Sequence, residues 1–293
     1  MRRTLFAVTL LAACYSPDYT TKPCVSDSGC PSGYFCSTAK VCAVGGSNAV
    51  ADMAPDPRPV RVEVEVRPSG SFYVGTDSTD GLNDTPSNIR PALPSPFFLD
   101  EREVTVADYR TCVTAQACTI PTTGVYGTQG WSCSYGNGKD THPVTCVTKT
   151  QAEAFCTWMG RRLPTEYEWE YAALGTTRQQ FVFPGTAVGG NACWNMNSTC
   201  PSGLFARTYL GQLITATDQP GFYDLLGNAW EWTSTPYCTY PPANMCTTGH
   251  FSVRGGSGFD NDLKLARATA RLHNLAEELY PNRGFRCARD SKP

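Results

Sequence analysis

Within Gly221–Trp232, read GFYDLLGNAWEW, twelve positions hold four aromatic residues, two glycines, two carboxylates and one Asn. Asp224 and Glu231 flank the Gly227-Asn228 pair, and both residues of that pair tolerate positive φ, which favours a tight turn. Such a turn exposes backbone carbonyls, and carbonyls beside carboxylates are the hard oxygen donors that Ca²⁺ takes. The apolar residues Phe222, Tyr223, Leu225, Leu226, Trp230 and Trp232 follow neither a helical nor a strand period. Two readings of the stretch stand side by side: a structural turn whose aromatics enter the core, and a metal-binding loop.

Other reactive residue types carry less. His142, His250 and His273 are scattered, with no HxxxH pair, and the chain has no CxxC pair. No GxSxG or P-loop pattern occurs. Glu166 and Glu170 read as charged groups near a helix N-terminus, where the macrodipole favours them, and not as catalytic acids. Glu277 and Glu278 lie near Arg267 and Arg271, a cluster of the kind that forms solvated helix surface. Asp77, Asp80 and Asp84 match no calcium-loop spacing and read as a solvated loop. A net charge of −2 without a basic run gives no electrostatic case for nucleic acid.

The elements that must position these groups are those of an α+β chain. Residues 1–13 have a basic start at Arg2 and Arg3 and a short apolar run, which is the pattern of a signal peptide. Leu11-Ala12-Ala13-Cys14 resembles a bacterial lipobox, so Cys14 is expected to become N-terminal and lipidated. Tyr15, not Asp, follows it, which points to the outer membrane of a bacterial envelope. Removing Cys14 from 15 cysteines leaves 14, and an even count in an exported chain reads as a disulfide framework. Residues 14–42 form a small module with Cys24, Cys30, Cys36 and Cys42, whose pairing the spacing does not choose. Residues 43–59 are a linker, and residues 60–293 are the main domain. Val60–Arg67 alternates as a strand, and Phe72–Val74 reads as a second. Helices are expected after Thr105 (with Asp108), after Thr150 (with Glu153) and after Thr165 (with Glu168). Long irregular chain beyond Leu174 needs staples. Cys112 with Cys118, Cys133 with Cys146, Cys193 with Cys200, and Cys238 with Cys246 can each close a local loop.

The Gly221–Trp232 stretch resembles the signature loop of the formylglycine-generating enzyme (sulfatase-modifying factor) family. Gly160–Ala173 (GRRLPTEYEWEYAA), Arg254–Ser257 (RGGS) and Gly284–Ala288 (GFRCA) agree with it in type and order. Gly70–Gly75 and Asp100–Tyr109 match more loosely. The resemblance implies a C-type-lectin-like fold and a Cys156–Cys287 bridge. It also implies a structural Ca²⁺ held by Asp224, Gly227, Ala229 and Glu231. The family's oxidase holds copper with two cysteines between the RGGS and GFRCA motifs, and Cu(I) requires soft thiolates. Here that interval contains no Cys, and counting back from GFRCA puts Leu263 and Ala268 at those places. The reading is therefore an envelope lipoprotein, bound to the membrane through Cys14, whose domain binds calcium and no copper. It would act as a binding or structural module toward a protein, peptidoglycan or glycan. The competing reading is an enzyme of the same superfamily with another active site, a polar pocket near Trp230, Arg254 and Arg286.

Overall fold

The computed structural model describes residues 34–36, 42–44, 56–69, 72–75, 93–126, 130–177, 179–183, 190–216, 218–240 and 245–290. The chain divides into a unit of Met1–Asp56 and a unit of Pro57–Pro293. In the first, β1 (Tyr34–Cys36) and β2 (Cys42–Val44) pair antiparallel with Cys36 opposite Cys42. The signal segment, the lipobox at Cys14, the pairing of the four module cysteines and the Asp77–Asp84 loop lie outside the described residues.

The second unit begins with β3 (Glu63–Val66), which buries Val64 and Val66 and leaves Glu63 and Glu65 half-buried. It pairs antiparallel with β4 (Phe97–Asp100), from Glu63 opposite Asp100 to Val66 opposite Phe97. The expected strand over Val60–Arg67 is thus shorter. One further bond runs from the Glu101 N–H to the Val62 carbonyl at 2.9 Å, and Val60 and Val62 stay 96% and 62% exposed. Phe72–Val74 forms no ladder either; Phe72 and Val74 are buried by side-chain packing, with Phe72 edge-on to Tyr171 at 5.1 Å.

Three helices follow their caps. α1 (Val106–Thr114) starts at Thr105 with a capping box closed by Asp108. α2 (Lys149–Trp158) starts at Thr148, not Thr150. Gln151 reaches back to the Thr148 N–H at 3.0 Å, while Glu153 is held by Lys149 and the Thr150 hydroxyl donates to Glu277. α3 (Glu166–Leu174) has the expected box of Thr165 and Glu168 and ends at Gly175. Between α1 and α2 lies a short hairpin, β5 (Val125–Tyr126) with β6 (Trp131–Ser132). After α3 the chain is irregular except for the hairpin β7 (Arg207–Tyr209) and β8 (Gln212–Ile214).

The larger sheet has the order β11 (Leu272–Leu275), β10 (Cys246–Arg254), β9 (Trp230–Cys238), β12 (Arg283–Gly284). All its pairs are antiparallel except β12 with β9. β13 (Ala288–Arg289) joins β4 and β3 in a second sheet. One core cluster gathers Trp169, Phe97, Leu99 and Phe222 around α3, and another gathers Tyr109, Phe155, Phe285, Trp230 and Trp232 between α1, α2 and β9.

Among the described residues, five disulfides join Cys112–Cys118, Cys133–Cys146, Cys156–Cys287, Cys193–Cys200 and Cys238–Cys246. Cys156–Cys287 spans 131 residues and ties α2 to the chain just before β13. A bridge closing so long a loop restricts the unfolded chain most, so Cys156→Ala should cost about 2–5 kcal/mol. Urea unfolding of the variant against the wild type under non-reducing conditions measures it, with a loss well below that range counting against the chain-entropy account.

Candidate functional site

The Gly221–Trp232 loop is held by backbone groups that only this turn can present. Gly227 and Asn228 both lie at positive φ, +81° and +60°. A Cβ on Gly227 would stand 2.3 Å from the Cys193 carbonyl oxygen, so only glycine fits. The Asn228 N–H donates to that same carbonyl at 2.9 Å. Asn228 Oδ1 accepts from the Cys200 N–H at 2.8 Å, and its Nδ2 donates to Glu103 Oε2 at 2.6 Å. The Cys193–Cys200 loop therefore docks on the turn at both of its ends. Trp230 and Trp232 are fully buried, and their ring N–H groups donate to Asp260 and to the Val147 carbonyl.

Glu231 points into an ion pair. Arg286 Nε and Nη2 donate to its two oxygens, each at 2.7 Å, and Trp169 Nε1 donates at 2.9 Å. Arg286 also donates to the carbonyls of Asp100, Glu101 and Tyr223, which satisfies its fork in a fully buried position. Two further acids surround this pair. Glu103 accepts from the Ala229 N–H at 3.1 Å and the Ser202 hydroxyl at 3.1 Å. Asp224, at φ +57°, accepts from the Gly203 N–H at 2.6 Å through Oδ2. Its Oδ1 is buried without a hydrogen-bond partner. Burial, then the charges of Asp224 and Glu231, push the Glu103 carboxyl well above its ordinary range. Burial likewise pushes Asp224 up to about 6, against the pull of the Gly203 N–H and Arg286.

The structure thus brings Asp224 and Glu231 into one cluster with Glu103 and Arg286. Glu231 Oε1 accepts from Arg286, and Oε2 accepts from both Arg286 and Trp169. A hard cation fits this donor set only in part, through the partnerless oxygen of Asp224. Among the described residues no group of three or more His, Cys, Asp or Glu is arranged as a metal site. Glu103 was not singled out in the sequence, although it lies inside the Asp100–Tyr109 motif; the motif was the available signal.

Glu166 opens α3, in its first turn as expected, and Glu170 follows one turn on. They are buried to 1% and 0% exposure, inside α3's packing. Glu166 is held bidentate by Arg271 at 2.7 and 2.8 Å, and Glu170 is paired with Arg254. Leu263, 51% exposed, opens a 3₁₀ turn over Leu263–Ala266, and Ala268 is buried with its carbonyl accepting from Arg254. Neither supplies a ligand atom of the soft type copper needs.

Trp230, Arg254 and Arg286 are fully buried, and none lines the cleft of about 410 Å³ found on the other side of the carboxylates. That cleft is lined by Arg102, Asp108, Asp140, Thr141, Ser202 and Gly203, among others. Ser202 and Gly203 are the same residues that donate to Glu103 and Asp224, so the cleft floor and the buried acids share a loop.

A family model described as "Sulfatase-modifying factor enzyme 1-like domain" matches residues 49–291. The chain belongs to this family. It is 31% identical over 273 residues to mouse "Inactive C-alpha-formylglycine-generating enzyme 2", covering 75% of this chain and 83% of that protein. It is 28% identical to the formylglycine-generating enzyme of Streptomyces coelicolor, covering 83% of this chain and 94% of that protein. Among solved structures it is similar to PvdO from Pseudomonas aeruginosa, with a TM-score of 0.60 at 22% identity over 78% of this chain and 93% of that one. The family fold is the C-type-lectin-like α+β arrangement described above, with few helices and several disulfides.

The raised Asp224 carboxyl has a consequence for this family member's stability. An acid whose folded pKa of about 6 exceeds its ordinary 3.8 binds more protons folded than unfolded between those values. Stability is then present at low pH and falls as pH rises through that window. Metal-free protein should melt progressively lower from about pH 4 to about pH 6 on this account, and Asp224→Asn should flatten the slope. Melting curves across that range, wild type against variant, decide it; an unchanged slope would remove Asp224 as its source.

Proposed function

We propose that the chain is an envelope-anchored lipoprotein whose sulfatase-modifying-factor-type domain has lost the oxidase centre and serves as a binding or structural module. One observation carries this. No cysteine lies between Arg254 and Gly284, and every cysteine from Cys112 to Cys287 is consumed in a disulfide. A Cu(I) centre needs thiolates that carboxylates and carbonyls do not replace. The similarity to the mouse inactive formylglycine-generating enzyme supports the same reading.

In this proposal the domain is a disulfide-stapled scaffold, and loops on a rigid scaffold are where binding residues gather. The cleft at Arg102, Asp140 and Ser202 is the place for a polar ligand, of protein, peptidoglycan or glycan origin. We also propose a structural Ca²⁺ at the loop, taken by Asp224 with the carbonyls of Gly227 and Ala229. Its support is the buried, partnerless oxygen of Asp224. Glu231 serves there by fixing the loop to Arg286. Calcium would then compensate the clustered acids and flatten the pH slope described above.

Two experiments test the proposal. Purified protein given copper, oxygen and a sulfatase-derived Cys peptide should form no formylglycine by mass spectrometry; turnover above the enzyme-free control would overturn the loss of the oxidase. For the anchor, the wild type should partition with membranes, and Cys14→Ser should be released or remain uncleaved. A wild type already soluble, with a variant maturing normally, would sink the lipoprotein part alone.

A further inference from the structure

His250 and His273 are far apart in sequence and neighbours in the sheet. β10 and β11 pair antiparallel, with His250 opposite Leu275 and Ser252 opposite His273. Residues two apart on a strand share a face, so the two histidines stand on one diagonal of the same face. Their ring centroids are 4.9 Å apart, and the planes cross at 70°. His250 is half-buried and His273 is exposed.

We propose that His250 and His273 form a cross-strand chelate for a divalent transition-metal ion of the Zn²⁺ class, a clip joining central strand β10 to edge strand β11. Neutral imidazole is the ligand that zinc, copper and nickel accept most readily, and geometry on the protein selects among sites. The tautomer of His250 is set. Its Nδ1 lies 3.1 Å from the Thr248 carbonyl, which can only accept, so Nδ1 carries the proton and Nε2 keeps its lone pair. A ring N–H donated to a backbone carbonyl is the outer support that metal-bound histidines use. His273 is stacked on Tyr237 with centroids 4.1 Å apart, which restricts the plane its nitrogens can sweep.

The charges around the pair suit a cation. Arg271 is the nearby positive group, packed over Tyr237 at 4.8 Å, but Glu166 holds it bidentate. Glu278, which accepts from Asn274 and from the Leu275 N–H, contributes the opposing negative charge. Two protein ligands leave the remaining positions to water or to a ligand from a bound molecule. His142, the third histidine, is engaged with the Thr199 hydroxyl at 3.0 Å and takes no part.

The test is calorimetric titration of chelator-stripped protein with ZnCl₂ at pH 7.5, beside His250→Ala, His273→Ala, the double variant and His142→Ala. Because the pair exists only in the folded sheet, zinc should also raise the melting temperature of the wild type. The expected result is one Zn²⁺ per chain, at least about tenfold weaker in each single variant, lost in the double variant and unchanged in His142→Ala. Metal-free melting curves of the variants establish that the sheet is intact. Wild-type protein without saturable binding, or a folded double variant that binds like the wild type, would overturn the proposal.

Discussion

The buried pair of Arg286 and Glu231 is the constraint on which the rest of the main domain depends. Taking both charges out of water is costly, and the cost is recovered only when geometry is good and every remaining donor is satisfied. Here the guanidinium meets both carboxylate oxygens and three backbone carbonyls, from Asp100, Glu101 and Tyr223. One side chain thereby links the end of β4, the signature loop and the start of β9. Removing either partner would leave an uncompensated buried charge, a loss of about 3–5 kcal/mol. That penalty makes the pair a device of specificity: the chain has one arrangement in which these charges can be buried together.

α3 repeats the theme. It is buried nearly all round, yet carries Glu166, Glu168 and Glu170. Each has its own arginine: Arg271, Arg162 and Arg254 respectively. A helix buried on every side cannot be amphipathic in the usual sense, so its polar residues must find partners inside. The paired glutamates project toward segments from both ends of the domain, and Trp169 between them donates to Glu231. The two ion-pair systems are therefore one connected network. With five disulfides around it, the network holds long irregular loops in place without much regular secondary structure.

The motifs that mark the family supply part of this network. Arg254 comes from RGGS and Arg286 from GFRCA, while Arg271 and the Ala268 carbonyl that accepts from Arg254 come from the interval between those motifs. The acids Glu103 and Asp224 are held by main-chain N–H groups and the Asn228 amide, and burial first, then their neighbouring charges, lifts their pKa values.

Much of this was legible in the residues alone. Capping boxes at Thr105 and Thr165 read directly, because a cap is a contact over three residues. The turn at Gly227-Asn228 and the motifs at Gly160–Ala173, Arg254–Ser257 and Gly284–Ala288 identified the family and its fold. Local patterns also misled where a partner elsewhere decided the outcome. β3 is shorter than its alternation, its ladder with β4 running only from Glu63 to Val66, and α2 is capped at Thr148 because Gln151 closes the box there. Only the tertiary structure could show that Glu231 pairs with Arg286, that Glu166 and Glu170 are interior, and that His250 meets His273. Those facts are pairings over 23 to 105 residues, set by sheet register and by the need to neutralise buried charge. No local pattern encodes which of several arginines a given acid will meet once both leave water.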